Sequence, residues 1–137
     1  MTQYSDCIVF LLAKAYQKSQ NQLKARLLPY SLTSVQALVL EALWEEEGLT
    51  AGQIGKRLAL DNATVSGVLD RLADAEWIIK KTDPDDKRLL RVFLSAKALE
   101  MESSLVEERT KANNEILKNF SDAEQILFKR FLKDLLP

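Results

Sequence analysis

Histidine is absent from the 137 residues, and cysteine occurs once, at Cys7. The first absence removes the usual general base near neutral pH, the commonest zinc and haem ligand, and every Ser-His or Cys-His nucleophile pair. A lone thiol can close no intramolecular disulfide and build no multi-thiolate metal site. An enzyme is therefore a poor expectation, and no metal or cofactor is expected. No stretch approaches the ~20 apolar residues that span a bilayer. The apolar run at residues 8–13 is short, and Asp6 and Lys14 flank it without the charged start and cleavage-type ending of an export signal. The expectation is a cytoplasmic chain. With only three prolines and four glycines, long uninterrupted helices are expected.

Neither sign of charge is in excess, at 19 Lys and Arg against 20 Asp and Glu. By segment the balance is +3 for residues 1–32, −4 for 33–50, +1 for 51–94 and −1 for 95–137. No block is strongly basic, so any binding to nucleic acid must rest on a few placed groups.

Apolar residues Ile8, Leu12, Tyr16, Leu23 and Leu27 share one helical face over a first helix from about residue 4 to residue 28, where Pro29 stops it. Three capping boxes, Thr33 with Gln36, Thr50 with Gln53 and Ser121 with Glu124, mark further helix starts. Asp61 or Asn62 can cap a helix that buries Val65, Val68, Leu69 and Leu72. It follows the short helix begun at Thr50 so closely that the two make a helix-turn-helix. The period then changes. Residues 77–81 read as a strand, residues 82–86 as a polar turn, and Leu90, Val92 and Leu94 alternate with Arg91 and Phe93 in a second strand. A two-stranded ribbon placed there is a wing. Ser95 opens a long helix with Ala98, Met101, Leu105, Ala112, Ile116 and Phe120 on one stripe, and a last apolar helix begins near Asp122.

Leu69-Asp70-Arg71-Leu72, then Trp77-Ile78, then Asp83-Pro84-Asp85-Asp86-Lys87-Arg88, with Ser95 after the second strand, resemble the signature of MarR-type regulators, and the order of elements matches over essentially the whole chain. The implied fold is mainly α with a small antiparallel β-wing. One domain over residues 1–137 would carry a winged helix-turn-helix core at residues 32–95, with dimerisation helices at residues 1–31 and 96–137. The resemblance implies a homodimer that binds a pseudo-palindromic operator in double-stranded DNA and represses transcription until a small, often aromatic, effector releases it. Apart from the resemblance, the apolar stripes on the first and last two helices would lie exposed on a monomer, which soluble monomers rarely show. The competing expectation is a winged protein-interaction module without sequence-specific DNA binding, since fold alone does not fix function.

The second helix of a helix-turn-helix enters the major groove by its N-terminal end. Here Val65 faces the core, leaving Asn62, Thr64, Ser66 and Gly67 for the groove, with Arg71 further along. Thr and Ser serve phosphates or bases and Asn can pair with adenine, although Asn62 and Thr64 can equally be capping residues. Gly67 permits either close approach to DNA or close helix packing. The resemblance places Arg88 in the minor groove from the wing tip, beside Lys87, with Asp86 positioning it or Arg71. Lys56, Lys80 and Lys81 are further phosphate candidates, and the acidic residues 45–47 are expected to be kept off the DNA. Phe10, Tyr16, Leu32 and Trp44, with Phe93, are candidates for an effector pocket or for plain core, with Lys14 or Arg26 as the cation for an anionic effector. Relatives that sense peroxide would place their thiol at Val9, so Cys7 is expected to be a buried filler. Relatives that sense zinc use histidine. Relatives usually carry Gly where Glu76 stands, and Thr and Gly where Ser95 and Ala98 stand.

Overall fold

The structure is a computed structural model and describes residues 3–137. Its helices are α1 (Ile8–Leu27), α2 (Ser34–Glu45), α3 (Ala51–Leu58), α4 (Asn62–Asp74), α5 (Ala96–Ile116) and α6 (Asp122–Leu135). The strands are β1 (Leu49–Thr50), β2 (Ile78–Thr82) and β3 (Leu90–Leu94). They form one antiparallel sheet in the order β1-β3-β2. The mainly helical fold with a small wing is the expected one. The first helix starts later than expected, at Ile8, after a 3-10 turn over Tyr4–Asp6, and a second 3-10 turn, Leu28–Tyr30, accommodates Pro29. β1 has no counterpart in the sequence reading, because two residues carry no period.

All three capping boxes form, each Thr or Ser oxygen accepting from the residue three ahead and each Gln or Glu returning to the cap. They satisfy amide donors that a helix start leaves orphaned. The packed residues divide into two compact units, one Leu27–Val106, the other the described residues up to Arg26 together with Glu107–Pro137.

In the first unit Val39, Leu40, Leu43, Ile54, Val65, Leu69, Leu72, Trp77, Ile78, Val92 and Leu94 are buried in one core. The turn between α3 and α4 is tight: a Cβ on Gly55 would lie 3.0 Å from the Leu60 carbonyl oxygen and 3.3 Å from Val65 Cγ2. Glycine is needed there for close approach, while Ala59 takes the left-handed conformation that ends α3. In the second unit α1, the later part of α5 and α6 frame an open, apolar groove of about 530 Å³ lined by Leu12, Tyr16, Ile116, Leu117, Phe128 and Leu132 among others. Arg26 pairs with Glu108 at 3.5 Å, and Phe120 stacks on Phe128. Cys7 is exposed, which corrects the expectation of a buried filler. It stands at the mouth of α1, where the backbone amides of Phe10 and Val9 draw its thiol pKa down.

Candidate nucleic-acid interface

Asp61 is the N-cap of α4: its Oδ1 accepts the Thr64 amide at 2.7 Å and its Oδ2 the Thr64 hydroxyl at 3.0 Å. These donors hold the Asp61 carboxyl below its usual pKa, the Thr64 amide contributing most. Asn62 is therefore the first helical residue and not the cap, and its side chain is exposed. The Thr64 proton is engaged, leaving the hydroxyl's acceptor side and its methyl. Ser66 is exposed and borders a recess of about 120 Å³ shared with Ala51, Leu69, Lys80, Leu90 and Val92, so α4 and the wing meet at this residue. A Cβ on Gly67 would meet only Arg71 Nη1, at 3.8 Å. Helix packing does not require that glycine; it leaves the exposed Arg71 guanidinium lying back along the outer face of α4.

The wing is built around a buried carboxylate that the sequence reading overlooked as a functional group. Asp83 Oδ1 accepts the backbone amides of Asp85 at 2.7 Å and Asp86 at 3.0 Å, folding residues 83–86 into a turn. Its Oδ2 accepts from Arg91 Nε, and Arg91 Nη1 donates to the Gly48 carbonyl at 2.8 Å, reaching the loop before β1. The Arg91 hydrogen bond is the foremost cause of the lowered Asp83 pKa. On this frame the next carboxylate points outward. Asp86 accepts from Arg88 Nε at 3.0 Å and Arg88 Nη2 at 3.1 Å, a two-point grip that lowers the Asp86 pKa and raises that of Arg88. The Arg88 side chain is nonetheless 89% exposed. It is an aimed cation with its outer face open. Lys87 beside it is exposed.

The other candidates fall differently. Lys80 pairs with Asp70 of α4, tying β2 to the reading helix, and Lys81 lies over the Phe93 ring at 5.1 Å. Lys56 is exposed on α3. Of the acidic stretch, Glu46 pairs with Arg57 and Glu47 accepts the Leu94 amide at 3.1 Å, so both serve the fold. Leu32 is in the core, and Trp44 donates its indole N–H to the Ala98 carbonyl at 3.2 Å. Phe10 meets Tyr4 edge-on, and Tyr16 lines the groove of its own unit. No group of three or more acidic, cysteine or histidine side chains is placed to hold a metal among the described residues.

Residues 32–90 match the model of the MarR family. The chain is similar to the HTH-type transcriptional regulator TtmR of Methylorubrum extorquens, with 38% identity over 89 residues, which is 65% of this chain and 44% of that protein. A probable transcriptional regulator from Pseudomonas aeruginosa superposes with a TM-score of 0.93 at 29% identity, over 98% of this chain and all (100%) of that one. Two structures share the fold at 24% identity. BpsR of Bordetella bronchiseptica, whose DNA binding is regulated by 6-hydroxynicotinic acid, has a TM-score of 0.92 over 98% of this chain and 96% of its own. A mutant MarR from E. coli complexed with operator DNA has a TM-score of 0.89 with 100% of both chains covered. The exposed start of α4, the braced arginine at the wing tip and these likenesses converge on residues 32–90, which match the MarR family, in a chain that is similar to HTH-type transcriptional regulators.

Proposed function

We propose that the protein is a cytoplasmic homodimeric repressor. It reads a pseudo-palindromic operator in double-stranded DNA and is released by a small, aromatic effector. The observation that carries this reading is Arg88, held at two points by Asp86 while its outer face stays open. A guanidinium so aimed suits a narrow minor groove, where A·T-rich sequence concentrates negative potential. Asn62, Thr64, Ser66, Gly67 and Arg71 take the adjacent major groove, and Lys87 a phosphate. Asp86 acts by positioning Arg88. Of the pocket candidates, Tyr16 is proposed to contribute to effector binding, from the apolar groove of its own unit, whereas Leu32 and Trp44 serve the core of theirs. A ligand that favours a dimer with wrongly spaced reading heads draws the population away from DNA.

Selection of bound duplexes from a random pool, with and without aromatic carboxylic acids, tests this reading. A two-fold-symmetric consensus that weakens in the presence of an effector supports it. Arg88→Ala is then expected to lower operator affinity by about 1–3 kcal/mol, the worth of a good directional contact. An unchanged gel-shift titration for that variant refutes the wing assignment. A specificity ratio near one over random duplex favours the interaction module instead. That module draws support from α4 itself, where Arg71 is accompanied by Asp70 and Asp74 and capped by Asp61.

A further inference from the structure

α4 ends in a Schellman turn: the Trp77 amide donates to the Leu72 carbonyl at 2.9 Å and the Glu76 amide to the Ala73 carbonyl at 3.0 Å. This leaves the Ala75 carbonyl facing outward at the negative end of the helix. Lys97 fills that position, its Nζ donating to the Ala75 oxygen at 3.0 Å and lying 4.3 Å from the centroid of the Trp77 ring. Ser95 completes the joint from the same side: its amide donates to the Trp77 carbonyl at 3.0 Å, while its Oγ caps α5 by accepting the Ala98 amide. Lys97 is the second residue of α5, in the first turn, where the helix dipole disfavours a cation. A residue that breaks its own helix's rule while satisfying a carbonyl and an aromatic face of its neighbour is placed for the neighbour.

We propose that Lys97 is a positioning residue for DNA reading: it fixes the angle between the reading helix α4 and α5. α5 is one unbroken helix over Ala96–Ile116. The joint is thus the point at which the long helix takes hold of the element that meets the groove. The proposal rests on the two-fold DNA reading above.

The test compares Lys97→Met, which keeps the stem over Trp77 and loses the donor and charge, with Lys97→Arg, which keeps both. Each is titrated by fluorescence anisotropy against the selected two-fold duplex and against the same duplex with one half-site scrambled. Lys97→Met is expected to lose about tenfold in affinity for the full site with its half-site affinity unchanged, and Lys97→Arg to bind as the wild type does. Hydrogen exchange at the Trp77 and Glu76 amides is expected to quicken in Lys97→Met relative to the β3 amides. Equal losses on both duplexes identify a simple phosphate contact and overturn the proposal. Full-site affinity that does not change, or exchange that does not change, overturns it as well. A wild-type protein that does not prefer the full site refutes the two-fold reading instead, and the joint is then decided by exchange alone.

Discussion

Asp83 and Asp86, in one turn of the wing, divide its organisation between them. Asp83 faces inward and holds the hairpin to itself and to the loop at Gly48 through Arg91; Asp86 faces outward and aims Arg88. The outward pair was legible only through the resemblance, which left Asp86 to position either Arg88 or Arg71; the structure gives it Arg88. The inward pair was not, because Arg91 is one polar position of an alternating strand and its partner lies across the turn, eight residues away. Cys7 departs from the buried filler expected of it because the apolar run that follows it faces outward. Both aspartates have pKa values below the ordinary 3.8, for Asp83 chiefly through Arg91 and for Asp86 chiefly through Arg88. A depressed carboxylate stabilises the fold above its unfolded pKa, and that contribution is lost as pH falls through the folded value. Asp83→Asn is therefore expected to lower the denaturation midpoint at neutral pH, and the deficit to narrow as the pH drops below about 4. Urea titrations of both proteins across that range check this; a deficit independent of pH places the loss outside the ion pair.

Among the helices, the starts were legible and the joints were not. A capping box is a local code of four residues, and all three present in the sequence form in the structure. The tight turn at Gly55 and the joint at Lys97 depend on which distant groups arrive nearby, which no periodicity encodes. Glu76 is the intermediate case. Resemblance marked it as a departure, and the structure shows why glycine belongs there: Glu76 is the left-handed residue of the Schellman turn, with φ 63°. That conformation costs a side-chain-bearing residue about 1–2 kcal/mol, and glycine returns about half of the relief as lost chain entropy. Glu76→Gly is expected to stabilise the protein by about 0.5–1 kcal/mol. The check is the thermal midpoint, with operator affinity as the companion measurement. A fall in the midpoint would mean that the Glu76 side chain contributes more than its backbone strain costs.

On the scale of the whole molecule, the apolar stripes foreseen from the sequence have separate fates. Leu105 and Ala112 are already buried within the chain, so that stripe of α5 carries no part of the dimer argument made from sequence. Ile8, Val9 and Tyr16 on α1, and Ile126, Phe131 and Leu135 on α6, remain more than half exposed and border the same unit as the apolar groove. Surface of this kind is rarely left to water. A second copy is the occupant that the two-fold DNA reading calls for, since an isologous interface covers the same face on both chains. Phe131, 53% exposed on α6, lies on that face without serving the fold's core. Phe131→Glu is therefore expected to leave helical content and the thermal transition of the diluted monomer intact. It should weaken self-association by about 2 kcal/mol or more, the scale of an aromatic anchor replaced at an interface centre, and more again because two-fold symmetry counts the change twice. Sedimentation velocity over a dilution series measures both proteins. A wild type that sediments as a monomer throughout refutes the dimer. If the wild type is dimeric and Phe131→Glu equally so, the interface lies on another face. If the variant is monomeric, its operator affinity is expected to fall to that of a single half-site, because one reading head without its partner keeps the contacts of α4 and the wing and loses the second set.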